Sequence, residues 1–419
     1  MTRADRPALP AFAATHFGKS LLWTAGDAFA LYTMIVVLKL PAAEAGMLFL
    51  AGSIWNAGLD AIWGLALARS QTLRRHVGPI GSVAAMVACA SFVALPLAPR
   101  GATVTAGLLL VLFRTAFALF DVPHNAVTTR FAEIHGHLRI MRLRTLASAG
   151  AGLVVALAAI PLLMAGSGAL SSAALAALGL VAGLLLLPLP ALLATATEVL
   201  PTPSEGPRPR IATPVLLFCL IHMIGVGALA AVGKAILHLD RAGAAILLAV
   251  PLILAVARLG AIPIWSAIAR GIGISTALAI GYGMCALVML AMPAAMAQGT
   301  LAIALAFALF GAGISGVVLL IWSAFSQLLG QTAGTQRLSS AALHYGLLTA
   351  TTKVGLGVSG YLAALWLGSM SNRPDLSVST LVSLTLFVVP IAMLCGIGEK
   401  LRGSSAARGP YAHSAAVST

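Results

Sequence analysis

Charge is scarce in this chain, and acidic charge scarcest of all. Of 419 residues 9% are charged, with 11 acidic side chains against 25 basic ones. Soluble domains carry about 25% charged residues, so a water-exposed globule of this length is excluded. Cysteines number four and aromatic residues make up 6%. Cys89, Cys219, Cys285 and Cys395 each fall inside an apolar run without paired spacing, which argues against a disulfide framework or a metal cluster and for small apolar residues. Several signatures are also absent. There is no Gly-rich P-loop followed by Lys and Ser/Thr, no His-Glu-x-x-His helix and no clustered Asp-rich motif for a Mg²⁺-diphosphate. ATP-driven, metalloprotease and prenyltransferase chemistry therefore have no footing. The chain does not read as an enzyme, and no cofactor is expected. Its loops and tail are too short for a folded signalling domain.

What is present is apolar. Hydrophobic residues make up 60% of the chain and the mean hydropathy is +1.01, the composition of a polytopic membrane protein. A run of roughly 20 apolar residues spans a bilayer. Such runs recur near residues 19–38, 43–68, 79–98, 102–127, 141–166 and 168–196, then near 213–236, 242–268, 274–294, 300–326, 338–368 and 376–397. The reading is an all-α membrane protein of twelve transmembrane helices in two six-helix halves, residues 1–197 and 212–398. The linker between them, 198–211, is rich in Pro, Ser and Glu, as solvated linkers are. Residues 399–419 are polar and Ser/Ala-rich, which reads as a disordered tail. The first apolar run is long enough to span, so it is expected to stay as a helix and not to be a cleaved signal.

The net charge of +14 is distributed by topology. Arg3, Arg6, Arg69, Arg74, Arg75, Arg130, Arg139, Arg142, Arg208, Arg210, Arg270, Arg337, Lys400, Arg402 and Arg408 lie on the side of the N-terminus, whereas the opposite loops hold Lys39, Arg100, Arg241 and Arg373. That asymmetry is the positive-inside bias and puts both termini in the cytoplasm. It describes orientation in a lipid bilayer, with no nucleic-acid partner.

Seven ionisable residues lie well inside the spans: Asp27, Asp60, Arg114, Asp121, Arg144, Arg258 and Lys353. At a helix centre facing lipid each would cost about 2.5–3.5 kcal/mol, so they are expected to face the protein interior or a wet cavity. Residues three, four or seven apart share a helix face. Ser20, Trp23 and Asp27 form one such face, and Asn56 and Asp60 another. Arg114 and Asp121 share a face but stand about 10.5 Å apart along the axis, too far to pair directly. Asp121 is expected to meet Arg144 or a neighbour on the second helix. Arg258 and Lys234 have stems long enough to snorkel to an interface. His222, His238 and His344 read as structural or interfacial residues. The seven charges carry a surplus of one cation, which would suit an anionic solute and vanishes if Arg258 snorkels.

Several motifs occur in order along the chain. Phe17-Gly18-Lys19 opens the first helix, and the second carries Trp55-Asn56-Ala57-Gly58-Leu59-Asp60-Ala61-Ile62-Trp63-Gly64, followed by the basic loop Arg69 to Arg75. The fourth carries Asp121-Val122-Pro123-His124-Asn125-Ala126, followed by Glu133, Arg139 and Arg144. The second half holds Pro263-Ile264-Trp265 through Arg270, and Thr352-Lys353-Val354-Gly355-Leu356-Gly357. From about residue 16 to about 368 this pattern resembles the glycoside-pentoside-hexuronide:cation symporter family, the melibiose permease-like branch of the major facilitator superfamily. The resemblance implies the major facilitator fold, a monomer and a multi-pass location in the bacterial plasma (inner) membrane. It also implies symport of a small-molecule solute, a sugar, glycoside or sugar acid, by alternating access around a central site.

By the same resemblance, Asp60 and Asp121 occupy positions that bind the coupling cation, H⁺ or Na⁺. Asn56 replaces the first carboxylate of the helix 2 pair, which favours H⁺, and Lys353 couples the second half to this site. The solute falls to Lys19, Ser20, Trp23, Asp27, Asp121, Asn125, Arg144 and Trp322. Ser20 stands where the family has a sugar-binding carboxylate, and Trp322-Ser323-Ala324-Phe325-Ser326-Gln327 lacks the two aspartates of the family's tenth helix. These departures leave room for an exporter, a lipid-type carrier or a non-transporting sensor on the same fold.

Overall fold

The apolar runs fold as helices because a backbone in hydrocarbon must satisfy every N–H and C=O within its own segment. A computed structural model of the chain describes residues 8–165, 169–197, 211–236, 245–332, 339–370 and 389–391. The first group of helices comprises α1 (Ala8–Tyr32), α2 (Ala42–Arg69), α3 (Gln71–Arg75), α4 (Val77–Ala94), α5 (Thr103–His135), α6 (His137–Ala165), α7 (Ala169–Leu186) and α8 (Leu189–Thr197). The second comprises α9 (Thr213–Ile236), α10 (Ala245–Ile272), α11 (Ile274–Gln298), α12 (Thr300–Thr332) and α13 (Ser339–Met370). Among the described residues no strand occurs, and nine helices are both long and apolar enough to cross a membrane. Nearly all of the twelfth expected span, most of the linker and the tail lie outside the described residues.

The sequence places these elements, though α5 and α12 run past their expected ends and three further features differ. α1 begins at Ala8 and takes in Pro10, eleven residues before the expected start, and ends in a π turn at Thr33–Val37. The basic loop after α2 contains the short helix α3, whose N-cap Ser70 accepts a hydrogen bond from Leu73 N at 3.2 Å. Arg74 turns back to donate to Leu67 O and Ala68 O at the end of α2, a role hydropathy does not show. The sixth span is broken between α7 and α8, at Leu187 and Pro188.

The surface inverts the soluble pattern. On α2, Met47, Ile54, Trp55 and Ile62 are at least half exposed while Ser53, Asn56 and Asp60 are buried. Leu108, Leu180, Leu184 and Leu301 are exposed elsewhere. An apolar surface of this extent is a lipid-facing one, and the chain is a multi-pass membrane protein.

Within the first group α1 packs on α6 and α7, and α4 on α5 and α7; within the second α12 packs on α10 and α11, and α9 on α13. The groups meet along two seams, α2 against α13 and α6 against α10. The first seam is close because both helices present small residues. A Cβ on Gly64 would stand 2.6 Å from Ala342 O, one on Gly346 2.6 Å from Asp60 O, and one on Gly46 2.6 Å from the Ala364 Cβ. Small residues let helix backbones approach where lipid provides no hydrophobic drive.

Candidate functional site

Between the two seams lies a cavity of about 460 Å³, within the roughly 300–1,000 Å³ of small-molecule sites. It is lined from α1, α5, α6, α9, α10, α12 and α13. Its charged groups collect around Asp121, which is buried on α5. Lys19 Nζ approaches Asp121 Oδ1 at 2.8 Å, and Lys353 Nζ approaches Oδ2 at 3.3 Å. Lys353 also reaches Asp60 Oδ2 at 2.6 Å, so one ammonium from α13 stands between carboxylates of α2 and α5. Asn125, one turn after Asp121, donates to Asp121 Oδ1 at 3.0 Å. Its own Oδ1 accepts from Lys19 at 2.7 Å and from Arg144 Nη2 at 3.1 Å. Arg144 Nη1 donates to Thr128 at 3.0 Å, and the guanidinium carbon sits 3.9 Å from the centre of the Trp322 ring.

Helical spacing points to Arg144 or a group on the second helix as the partner of Asp121, and the structure corrects this. Asp121 pairs with Lys19 and Lys353 and meets Asp60 only through Lys353. Arg144 is held by neutral acceptors and a ring. Arg258 is corrected too. Its side chain lines the cavity and does not run out to an interface, so the cationic surplus remains.

Among the other expected site residues, Ser20, Trp23 and Asp27 line the cavity from α1. Ser20 Oγ lies 2.9 Å from Ser148 Oγ. Trp23 carries Arg114 at 4.8 Å and Lys353 at 5.1 Å from its ring centre. Arg114 is 1% exposed, also lies over Phe49 and Phe113, and is acted on by the charges of Asp27 and Asp60. Asn56 is buried away from the cavity, where its Nδ2 donates to Arg114 O at 2.6 Å. Asp60 also lies behind the lining, reached from it through Lys353. His222 sits 2.9 Å from the Tyr282 hydroxyl; His238 and Cys395 lie outside the described residues. Among the described residues no three His, Cys, Asp or Glu side chains gather as a metal site.

Sequence reasoning missed Thr128, Ser148 and His16. The signal was helical spacing: Asp121, Asn125 and Thr128 fall at i, i+4 and i+7, and Arg144 and Ser148 at i and i+4. His16 Nε2 lies 3.2 Å from Ser148 Oγ, and its ring stacks on His124. The tryptophans of the helix 2 motif tie α2 to α5: Trp55 Nε1 donates to Thr115 at 2.8 Å and Trp63 Nε1 to Leu119 O at 3.1 Å.

Two helix groups, closed along two seams around one central cavity, define the major facilitator fold of membrane transporters. A family model described as MFS/sugar transport protein matches residues 11–210. The chain is similar in structure to the xylose transporter XylE from E. coli, with TM-score 0.65 at 11% identity over 93% of this chain and 96% of that one. It is also similar to the nucleoside transporter NupG (TM-score 0.61, 12% identity, 93% and 98% covered). A bacterial homologue of the iron transporter ferroportin in an outward-facing state gives TM-score 0.62 at 14% identity, with 95% and 99% covered. At such identities the likeness is one of fold. No curated protein matches the sequence.

Proposed function

We propose that the chain is a secondary transporter of the bacterial inner membrane, both termini cytoplasmic, that takes up a sugar, glycoside or sugar acid together with a proton. The motifs from Phe17 to Gly357 support placing it with the glycoside-pentoside-hexuronide:cation symporters. The observation that carries the reading is the bridge Asp60–Lys353–Asp121–Lys19, which joins the two helix groups and borders the cavity.

The bridge suggests how ion and solute are coupled. While Asp121 is ionised it holds a lysine from each group, and the groups stay locked at this point. A proton on Asp121 removes the charge that both ammoniums are held by. Lys353 then falls to Asp60 alone, and Lys19 to Asn125. Solute hydroxyls entering beside Asn125, Arg144 and Trp322 take up the donors so released, and the halves are free to rock. The Lys353 ammonium stands where Na⁺ would have to sit between Asp60 and Asp121, which favours H⁺ as the coupling ion. Nothing in this scheme needs a second copy of the chain.

The test is reconstitution into proteoliposomes, followed by a screen of mono- and disaccharides and sugar acids for solute-dependent alkalinisation, with and without Na⁺. Alkalinisation by at least one sugar, unchanged when Na⁺ is withdrawn, is the expected result. Silence across the whole panel would turn the reading towards an exporter or a sensor.

A further inference from the structure

Among the described residues, Arg258 is a charge without a counterpart. It lies in the middle of α10, a helix whose other cavity-lining residues, Pro251, Leu254 and Ala255, are apolar. Its Nε is buried and makes no hydrogen bond. Among the described residues it forms no ion pair. Its tip lies against α6, where a Cβ on Gly152 would come 4.0 Å from Nη1. Its backbone is fixed by Ser315, which donates to Arg258 O at 2.7 Å. The side chain is thus placed in the cavity, and nothing described there accounts for its charge.

The rest of the lining does not neutralise it. Among the described residues four cations line the cavity, Lys19, Arg144, Arg258 and Lys353, against two carboxylates, Asp27 and Asp121. Asp121 is taken by the two lysines, and the charge of Asp27 acts on Arg114. Arg258 is half-buried, and an ionisable side chain without a counter-charge inside a membrane protein marks a binding function by default. Along α6, Arg144, Ser148 and Gly152 follow at four-residue steps, so the polar cluster and the tip of Arg258 are separated by two turns, about 12 Å of rise. The wall on the second group's side is apolar, formed by Leu254, Phe310, Ile314 and Val317.

We propose that Arg258 is an anion-binding residue and that the cavity takes an amphipathic organic anion. The hydroxylated end of the solute lies on Asn125 and Arg144, its apolar body lies against α10 and α12, and its carboxylate is held by the Arg258 guanidinium. One guanidinium presents one planar fork, which matches one carboxylate. Because Arg258 belongs to α10 and Arg144 to α6, such a solute touches both sides of a seam and favours closure around itself. This deepens the reading of the site as a glycoside carrier and rests on it for the hydroxylated end only.

Calorimetry on the full chain in lipid nanodiscs tests it, with phenyl β-glucuronide, phenyl β-glucoside and phenylacetate as probes. The wild type should bind the glucuronide about tenfold more tightly than the glucoside, the worth of one charge-assisted contact of about 1.4 kcal/mol. Arg258→Gln should erase that preference and Arg258→Lys retain part of it. Arg258→Gln should melt no lower than wild type, since it removes a charge with no partner to lose. Binding of phenylacetate alone, lost in Arg258→Gln, would sink the glycoside reading and keep the anion site. Equal affinity for the two glycosides, a preference that survives Arg258→Gln, or no binding of either anion would overturn the proposal.

Discussion

The two sides of the cavity handle charge in opposite ways. On the side of α1, α5 and α6, the two cations that line the cavity have partners: Lys19 shares Asp121 with Lys353 of α13, and Arg144 rests on Asn125, Thr128 and Trp322. On the side of α10 and α12 the wall is apolar, and its one cation, Arg258, has no counter-charge among the described residues. A satisfied network holds its members in one geometry, because leaving any of them unpaired at low dielectric is expensive. An unsatisfied charge is held in place only by packing and keeps its binding capacity for something that arrives. The first side is therefore built as a lock, the second as a receptor.

Lys353→Met should break the lock most severely. It strands Asp60, which is 0% exposed and whose ion pair is with Lys353. Breaking a buried pair by removing one member costs about 3–5 kcal/mol. The double variant Asp60→Asn/Lys353→Met should recover most of that loss, since no charge is then left alone. Thermal unfolding in detergent of the two single variants and the double one measures the coupling, and a double variant no better than Lys353→Met would show the pair to be incidental.

Asp121→Asn comes next. It takes away the charge that two ammoniums share, and two charge-assisted contacts at about 1.5 kcal/mol each correspond to about a 100-fold loss of uptake. Full proton-dependent uptake by this variant would remove Asp121 from the coupling scheme.

The smallest effect concerns the frame on which the lock is mounted. Gly64→Ala places a methyl group 2.6 Å from a backbone oxygen of α13, so the α2–α13 seam must open. Overpacking of this kind costs about 1–3 kcal/mol. A Cβ on Gly58, in the same helix, would meet nothing within 4 Å, and Gly58→Ala should stay within about 0.5 kcal/mol of wild type. Equal melting of the two variants would mean that the seam yields without cost.

Much of the fold was legible because hydrocarbon imposes it: length, apolarity and the scarcity of charge leave few structures open to α2, α5 or α12 besides a spanning helix. The break between α7 and α8 was less visible, since an apolar run reads the same whether or not its helix is continuous. In the site, the shared faces of Ser20, Trp23 and Asp27, and of Asp121 and Asn125, follow from helical spacing alone. The pairing of Asp121 with Lys19 in place of Arg144 does not. Lys19 stands at the edge of its apolar run, outside the set of in-span charges, yet α1 starts at Ala8 and carries Lys19 to within 2.8 Å of Asp121. Arg258 shows the same limit: a long cationic stem can reach an interface or a cavity, and the sequence does not say which.

The sequence by itself determined that the chain lives in a membrane, that its charges must turn inward and which of them share a helix face, because those are properties of single segments meeting a solvent. Only the tertiary structure decided which charge answers which. Partnership across helices depends on how each helix is rotated and how closely its neighbours approach. Here small residues on α2 and α13 bring Lys353 between Asp60 and Asp121, while Arg258 faces the cavity with its charge unanswered among the described residues.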